Sequence, residues 1–360
     1  MKKKVVILAN NSGGLYDFRG ELITELLKEN EVVVSVPEDD KVEELKQLGV
    51  KFISTNVNRR SMNLIQDFKL FWTYIKILRT EKPELVITYT IKPNIYGGIA
   101  ARILRISYAV NITGLGTAFQ KQGLLRKIVT ILYKVALRRA KCVFFENQEN
   151  MQVFTEAHIV KRKKCCLLNG AGVNLEKFSY TEYPKDIAET RFLFVGRIMR
   201  EKGVDELFSA CRRLYSEGYP ISLDVLGNCE EDYINVMEEY ETEGWLKYHG
   251  YQTDVRTFIA TAHCFVLPSW HEGMANTNLE CAAMGRPVIT SDIHGCKEAV
   301  IDGASGYLCQ KQNVNNLYEI MKRFIELHDD TREKMGRAGR DHMEEVFNKK
   351  KIVKNTIQKL

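Results

Sequence analysis

Cys264-Phe265-Val266-Leu267-Pro268-Ser269-Trp270-His271-Glu272-Gly273-Met274-Ala275-Asn276-Thr277-Asn278-Leu279-Glu280 runs from an apolar strand through a glycine-containing loop into a helix that continues through Cys281, Ala282, Ala283 and Met284. A short apolar run closed by proline suits a strand of a parallel sheet buried on both faces. A strand, a short loop and a helix N-terminus make an anion site, because the first-turn N–H groups have no partner within the helix. Two carboxylates stand beside it: Glu272 in the loop and Glu280 about one turn into the helix. An anionic group with two sets of hydroxyls describes a nucleotide-sugar, with phosphates on the helix N-terminus and sugar and ribose on the two carboxylates. Alone, the spacing serves equally well a solvated Glu272 and a Glu280 that favours the helix dipole.

A second pair upstream shifts that balance. Phe192-Leu193-Phe194-Val195-Gly196 is a strand ending in glycine, and Gly203 to Tyr215 is a helix with Val204, Leu207, Phe208, Cys211 and Leu214 at helical spacing. Arg197 and Lys202 lie between them, at the carboxyl end of a strand, where open α/β sheets bind ligands. A planar guanidinium fork and a point-charge ammonium suit a diphosphate. The competing reading is a solvated basic loop, since Arg200 and Glu201 can pair locally.

Arg197 and Lys202 form an R-x4-K pair, and Glu272 and Glu280 an E-x7-E pair. With these the chain resembles the retaining glycosyltransferases of family 4, which have the GT-B fold: two doubly wound, Rossmann-like α/β domains facing across a cleft. The resemblance extends over nearly the whole chain. Asn169-Gly170-Ala171-Gly172-Val173-Asn174-Leu175-Glu176-Lys177-Phe178 is similar to the family's interdomain hinge. Gly295 to Gly303 with Gly306-Tyr307-Leu308 is similar to the closing part of its donor domain. The resemblance implies catalytic roles for Arg197, Lys202 and Glu272, with the two cations neutralising the leaving diphosphate. It implies donor contacts from Gly13, Gly14, Gly196, Gly227, Tyr251, Met274, Ala275, Asn276, Thr277 and Glu280. Transfer would proceed with retention, without a protein nucleophile and without a metal; the chain has no D-x-D, and two cations can replace a divalent ion. UDP is the family's commonest donor nucleotide, so the expected donor is a UDP-sugar and no cofactor is implied.

The remaining sequence is organised in the same way. At 360 residues the chain is long enough for two domains. Strand-like runs at Val5–Ala9, Val32–Val36, Leu85–Thr88, Tyr108–Ile112 and Cys142–Phe145 alternate with amphipathic segments, and a similar series begins at Arg191. This places an acceptor-binding domain at 1–168, a linker at 169–190, a donor domain at 191–340 and a helix at 341–360 that crosses back to the first domain. After the first strand comes the turn Asn10-Asn11-Ser12-Gly13-Gly14, with a helix expected from about Phe18. G-x-G-x-x-G is absent, which argues against a nicotinamide dehydrogenase. Nine scattered cysteines with no C-x-x-C favour a reducing cytosol, and no signal peptide is visible.

Charge is uneven. Residues 1–168 carry 28 Lys/Arg against 16 Asp/Glu, the remainder 24 against 30, and residues 85–145 contain no acid. Within that window Leu124, Leu125, Ile128, Val129, Ile131, Leu132 and Val135 share one side of a helix, with Arg126, Lys127, Lys134 and Arg138 mainly on the other. Such stripes usually pack, so the expectation is that this one lies in the core. The acid-free window suits docking on membrane lipid or a lipid diphosphate, a peripheral location at the inner-leaflet, cytoplasmic surface. Nucleic acid is disfavoured because no binding motif accompanies the charge.

Two clusters in the same window follow strands: Thr88 to Gly98, and Asn111-Ile112-Thr113-Gly114-Leu115-Gly116. They resemble the subgroup that builds bacterial capsule, O-antigen and lipid-linked oligosaccharides by adding a hexose or N-acetylhexosamine to a glycan or undecaprenyl-diphosphate-linked sugar. Thr90, Lys92, Asn111, Thr113 and Gly114 are the implied acceptor residues. Many members place a histidine after the strand equivalent to Tyr108–Ile112; this chain has Asn111 and Thr113 there. The alternatives are a sugar-nucleotide epimerase of the same fold, drawing on His249, His263, His271 or His294, and a non-catalytic nucleotide-sugar-binding subunit.

Overall fold

In the computed structural model, which describes residues 2–57, 63–115, 119, 123–185 and 189–360, the chain divides into two units, Met1–Ala171 with Lys350–Leu360, and Gly172–Lys349. The first unit holds strands β1 (Lys3–Leu8), β2 (Asn30–Val36), β3 (Lys51–Ser54), β4 (Leu85–Tyr89), β5 (Ser107–Ile112), β6 (Cys142–Phe145) and β7 (Cys165–Leu167). Its helices are α1 (Ser12–Glu29), α2 (Val42–Gln47), α3 (Leu64–Glu81), α4 (Gly98–Ile103), α5 (Leu124–Leu137) and α6 (Gln148–Glu156). The strands pair in parallel in the order β3-β2-β1-β4-β5-β6-β7. Val5 registers with Val32 and Leu85, so alternate side chains leave opposite faces. Val6, Leu8, Val86, Tyr108 and Val110 meet Leu70, Tyr74 and Tyr133 of α3 and α5. Val5, Ile7, Val32 and Val34 meet Leu15, Leu22 and Ile23 of α1.

The second unit has β8 (Thr190–Val195), β9 (Ile221–Leu226), β10 (Leu246–Tyr248), β11 (Cys264–Leu267), β12 (Val288–Ser291) and β13 (Gly306–Cys309), parallel in the order β10-β9-β8-β11-β12-β13. Helices α7 (Val204–Ser216), α8 (Ile234–Glu243), α9 (Arg256–Thr261), α10 (Asn276–Ala283), α11 (Val314–Ile325) and α12 (Asp329–Val346) belong with it, and α13 (Lys349–Lys359) ends the chain. In each unit the first strand lies inside the sheet and the chain then builds outward on both sides. The strand order therefore reverses between β1 and β4, and between β8 and β11, which are the topological switch points where such sheets bind ligands.

Several expectations are corrected. The first helix begins at Ser12, not near Phe18: Asn11 caps it by accepting from the Gly14 N–H at 2.6 Å, so both glycines lie in its first turn. Residues 341–360 are not one helix. Phe347 and Asn348 interrupt it, and the Phe347 carbonyl and Lys349 N–H bond Val173 at 2.8 and 3.1 Å. Beyond the break, Val353, Ile357 and Leu360 pack on the first unit's core. Strands β3, β7 and β13 escaped the sequence reading because two are half-exposed edge strands and all have four residues or fewer. Most of the α5 stripe is not core: Leu124, Leu125, Ile128, Ile131 and Val135 are exposed, Leu132 is half-buried, and of the seven only Val129 is buried. Val129, Tyr133, Ala136 and Leu137 form the buried side, and Leu132 packs partly against the same cluster. Among the described residues no helix is long and apolar enough to cross a membrane.

Candidate functional site

The second unit's switch point brings two distant segments together. The loop after β8 carries Arg197 and Lys202, and the loop after β11, its neighbour in the sheet, carries Glu272. Lys202 Nζ forms an ion pair with Glu272 Oε1, both side chains largely shielded. Ser269 Oγ donates to the same Glu272 oxygen at 2.8 Å. The two loops are also tied through backbone, the Trp270 N–H donating to the Glu201 carbonyl at 3.0 Å. Beneath them the buried Glu206 of α7 accepts from Trp270 Nε1 at 3.2 Å, while its other oxygen has no partner. Burial raises the Glu206 pKa above the usual carboxylate range.

Helix α10 then starts at Asn276 with no capping side chain; the residue before it is Ala275. Its first-turn N–H groups are free of side-chain caps, as an anion site requires. Asn276 Oδ1 is buried without a hydrogen-bond partner. Met274 and Ala275 turn their side chains into the core, so only their backbone can face a ligand. Thr277 and Glu280 are half-buried on the same helix. Thus Lys202, Glu272, Asn276, Thr277 and Glu280 follow one another around a single edge.

Arg197 is exposed and pairs with Glu230 Oε2 at 3.1 Å. Glu230 to Asp232 precede α8, which begins at Ile234. The run braces the loop after β8, with Glu231 accepting from the Arg200 N–H at 2.8 Å. Gly196 and Gly227 close β8 and β9, and a Cβ on Gly227 would lie 1.9 Å from the Gly196 carbonyl oxygen. Tyr251 is exposed beyond β10. Of the four candidate histidines, His263 is fully buried and accepts from the Arg191 N–H through Nδ1 at 2.9 Å, and burial lowers its pKa to about 4. His249 pairs with Asp224 at 2.6 Å and His294 with Glu298 at 2.8 Å. His271 lies 3.4 Å from Glu201.

In the first unit, Gly13 and Gly14 follow β1 and Thr90 and Lys92 follow β4, on the two sides of its switch point. Asp39 accepts from the Ser12 N–H at 2.9 Å and so anchors the start of α1. Thr90 adopts φ +70, an uncommon conformation for a β-branched residue. Lys92 pairs with Asp67 at 2.6 Å, and Tyr96 donates to the same carboxylate at 2.9 Å. Asn111 is buried: its amide donates to the Thr88 carbonyl at 3.2 Å, and its backbone carbonyl accepts from Asn94 at 2.8 Å. These bonds tie the ends of β4 and β5 together. Thr113 and Gly114 are half-buried beyond β5, and Gly116 lies outside the described residues. The sequence reading missed Ser269, Glu206 and a buried Arg19–Glu146 ion pair beside Tyr89. Glu146 directly follows β6, the one signal that could have singled it out.

Two family models match consecutive parts of the chain: "Glycosyl transferase 4-like" over residues 4–147 and "Glycosyl transferases group 1" over residues 180–342. The chain is 27% identical to the N,N'-diacetylbacillosaminyl-diphospho-undecaprenol alpha-1,3-N-acetylgalactosaminyltransferase of Campylobacter jejuni, over 90% of this chain and 89% of that protein. It is 27% identical to the capsular polysaccharide biosynthesis glycosyltransferase CapM of Staphylococcus aureus, over 96% and 93%. Among solved structures, Anabaena Alr3699/HepE in complex with UDP-glucose superposes with a TM-score of 0.82 at 18% identity, covering 99% of this chain and all of that one.

Proposed function

Because the chain belongs to the group 1, family 4-like glycosyltransferases with the GT-B fold, we propose that it moves a hexose or N-acetylhexosamine from a UDP-sugar to an undecaprenyl-diphosphate-linked sugar in surface polysaccharide synthesis. The observation that carries this reading is the meeting of Lys202 and Glu272 at the second switch point, beside the uncapped start of α10. The acceptor class is that named for the Campylobacter relative.

In this reading the Lys202–Glu272 pair holds both groups in place until a donor arrives. The diphosphate then takes Lys202, Arg197 and the α10 N–H groups, which stabilise the negative charge that grows as the glycosidic bond breaks. Glu272, released from Lys202 and still held by Ser269, accepts from sugar hydroxyls, and Glu280 from the ribose. The leaving phosphate takes the acceptor proton, so transfer proceeds with retention and without a metal. Thr90, Lys92, Thr113 and Gly114 lie at the edge of the first unit where the acceptor would be held.

Purified protein is tested first by thermal shift with UDP, GDP, ADP and NAD, then in transfer assays with EDTA present. Stabilisation by UDP, transfer that survives EDTA and an α-linked product from an α-linked donor are expected. Glu272→Ala and Lys202→Ala should each lower kcat by about 10²–10³. Stabilisation by NAD alone, or full transfer by Glu272→Ala, would overturn the assignment.

A further inference from the structure

Trp270 stands two residues before Glu272 in a loop of irregular backbone, and α7 reaches it through a buried carboxylate. Glu206, in the first turn of α7, is 7% exposed, and its Oε1 accepts from the Trp270 indole N–H at 3.2 Å. Its Oε2 has no partner among the described residues. A first-turn acid favours the helix dipole, but Asp205 beside it already does so from an exposed position. The nearby cation, Arg200, pairs with Asp205 at 3.5 Å rather than with Glu206. A carboxylate buried with so few partners costs stability that a leucine at the same place would not. Folding alone therefore gives no reason for an acid at this position, whereas the indole bond does.

That bond spans the two loops of the site. Trp270 is held to the loop after β8 through its N–H, which donates to the Glu201 carbonyl at 3.0 Å, and through its ring, which lies 5.5 Å from the Arg200 guanidinium. The indole bond to Glu206 adds a tie to α7 itself. Lys202 lies in the chain between Glu201 and Glu206, so one aromatic side chain links the register of Lys202 with that of Glu272. In the proposed reaction Lys202 leaves Glu272 for the donor diphosphate. The direct tie between the loops is then lost at the moment when Glu272 must hold the sugar. The Trp270–Glu206 bond involves neither group and persists through that exchange.

We infer that Glu206 is a positioning residue for sugar transfer: by holding the Trp270 indole it fixes the loop that carries Glu272 once Lys202 has turned to the diphosphate. The inference rests on the transferase reading for the step that is served. It acts through Glu272 and touches no substrate. Loosening the loop lets Glu272 move off the sugar hydroxyls, and a misplacement of about 1 Å costs up to about 10²-fold in rate. UDP alone offers no sugar for Glu272 to hold, so its affinity does not depend on the brace. Glutamine at position 206 still accepts from the indole through its amide oxygen; leucine cannot. Phenylalanine at position 270 keeps the ring and loses the donor.

The full chain is tested with Glu206→Leu, Glu206→Gln and Trp270→Phe. Rates are measured with whichever of UDP-glucose, UDP-galactose and their N-acetyl forms the wild type uses, on undecaprenyl-diphosphate-linked N-acetylglucosamine. UDP affinity is measured by calorimetric titration, Tm by scanning calorimetry, and amide exchange over Ser269–Gly273 by mass spectrometry. Glu206→Leu and Trp270→Phe should each lower kcat by about 10–100-fold with UDP affinity unchanged. Glu206→Gln should recover most of that rate. Glu206→Leu should not lower Tm, since it removes a buried carboxylate, yet amide exchange in the loop should quicken. In a Glu272→Ala background Trp270→Phe should bring no further loss, because both act at one point. Full kcat in Glu206→Leu and Trp270→Phe, a glutamine variant as slow as the leucine one, or a parallel fall of Tm, UDP affinity and kcat would overturn the inference. A wild type that transfers no sugar, with faster loop exchange in Glu206→Leu, would sink the transferase reading and leave the brace standing. A wild type that transfers, with neither rate nor exchange responding to the variants, would do the reverse.

Discussion

Gly203→Ala is expected to damage stability and transfer together, and Gly218→Ala supplies its control. Gly203 joins the loop carrying Lys202 to α7 at φ +75, and a Cβ there would lie 2.1 Å from the Pro268 carbonyl oxygen and 2.7 Å from its carbon. No flexible side chain can yield, because the obstacle is backbone. The two loops must therefore separate by roughly 1 Å to restore a van der Waals contact. The left-handed conformation costs about 1–2 kcal/mol and the forced backbone shift about 1–3 kcal/mol. With about 2–4 °C lost per kcal/mol in a unit of this size, Tm should fall by about 4–20 °C. Since the separation pulls Lys202 away from Glu272, kcat should fall by about 10²-fold as well. Gly218, beyond the other end of α7, has φ +86 and open space within 4 Å of where a Cβ would stand. Gly218→Ala bears only the conformational cost of about 1–2 kcal/mol and should keep full transfer. Differential scanning calorimetry with a radiolabelled-sugar transfer assay compares the two. Equal Tm losses and equal rates would show that the close approach to Pro268 does not position the site.

Two further outcomes follow from buried groups of the second unit. Arg286 is fully buried with no acid partner among the described residues, its guanidinium donating to the carbonyls of Ile259, Thr181, Glu182 and Ala260 at 2.8–3.1 Å. Arg286→Met strands those acceptors and should cost more than about 4 kcal/mol in urea unfolding, whereas an unchanged midpoint would refute the clamp. His263 is held neutral, its folded pKa near 4 against an ordinary 6.5. Between those values the unfolded chain binds a proton that the folded chain does not, so stability falls as pH drops from 6.5 to 4, by up to about 3 kcal/mol, and the effect is absent above 6.5. The urea midpoint of His263→Asn should change less over that interval than the wild type's; parallel curves would show that His263 does not contribute. Glu206, raised by burial, has the opposite sign, which is why the difference between the two proteins is the quantity to measure.

Much of the architecture was legible from periodicity and strand-end chemistry. Val5 to Leu8, Phe192 to Val195 and Cys264 to Leu267 are apolar on both faces, which only a covered parallel sheet satisfies. Arg197, Lys202 and Glu272 stood out because each lies just past such a strand. Side-chain partnership was not legible in the same way. Asn111 looks like a polar group at a strand end, yet its amide completes the Thr88–Asn94 network. Gly13 and Gly14 look like a turn, yet a cap from Asn11 just upstream draws them into α1.

The sequence by itself determined that two parallel α/β sheets exist and which loops cap them, because alternation, strand length and helix spacing are local properties of the chain. The tertiary structure alone decided which distant loops become neighbours: the order β8-β11 sets Lys202 against Glu272 across seventy positions, and puts Glu206 under Trp270. It also decided which side of α5 is buried. Two apolar sides compete for one sheet face, and Tyr133 and Leu137 occupy it, leaving Leu124, Ile128 and Ile131 to the solvent side. Helical spacing marks a side chain as apolar, but only the packing of neighbouring elements determines whether a protein core or another apolar phase receives it.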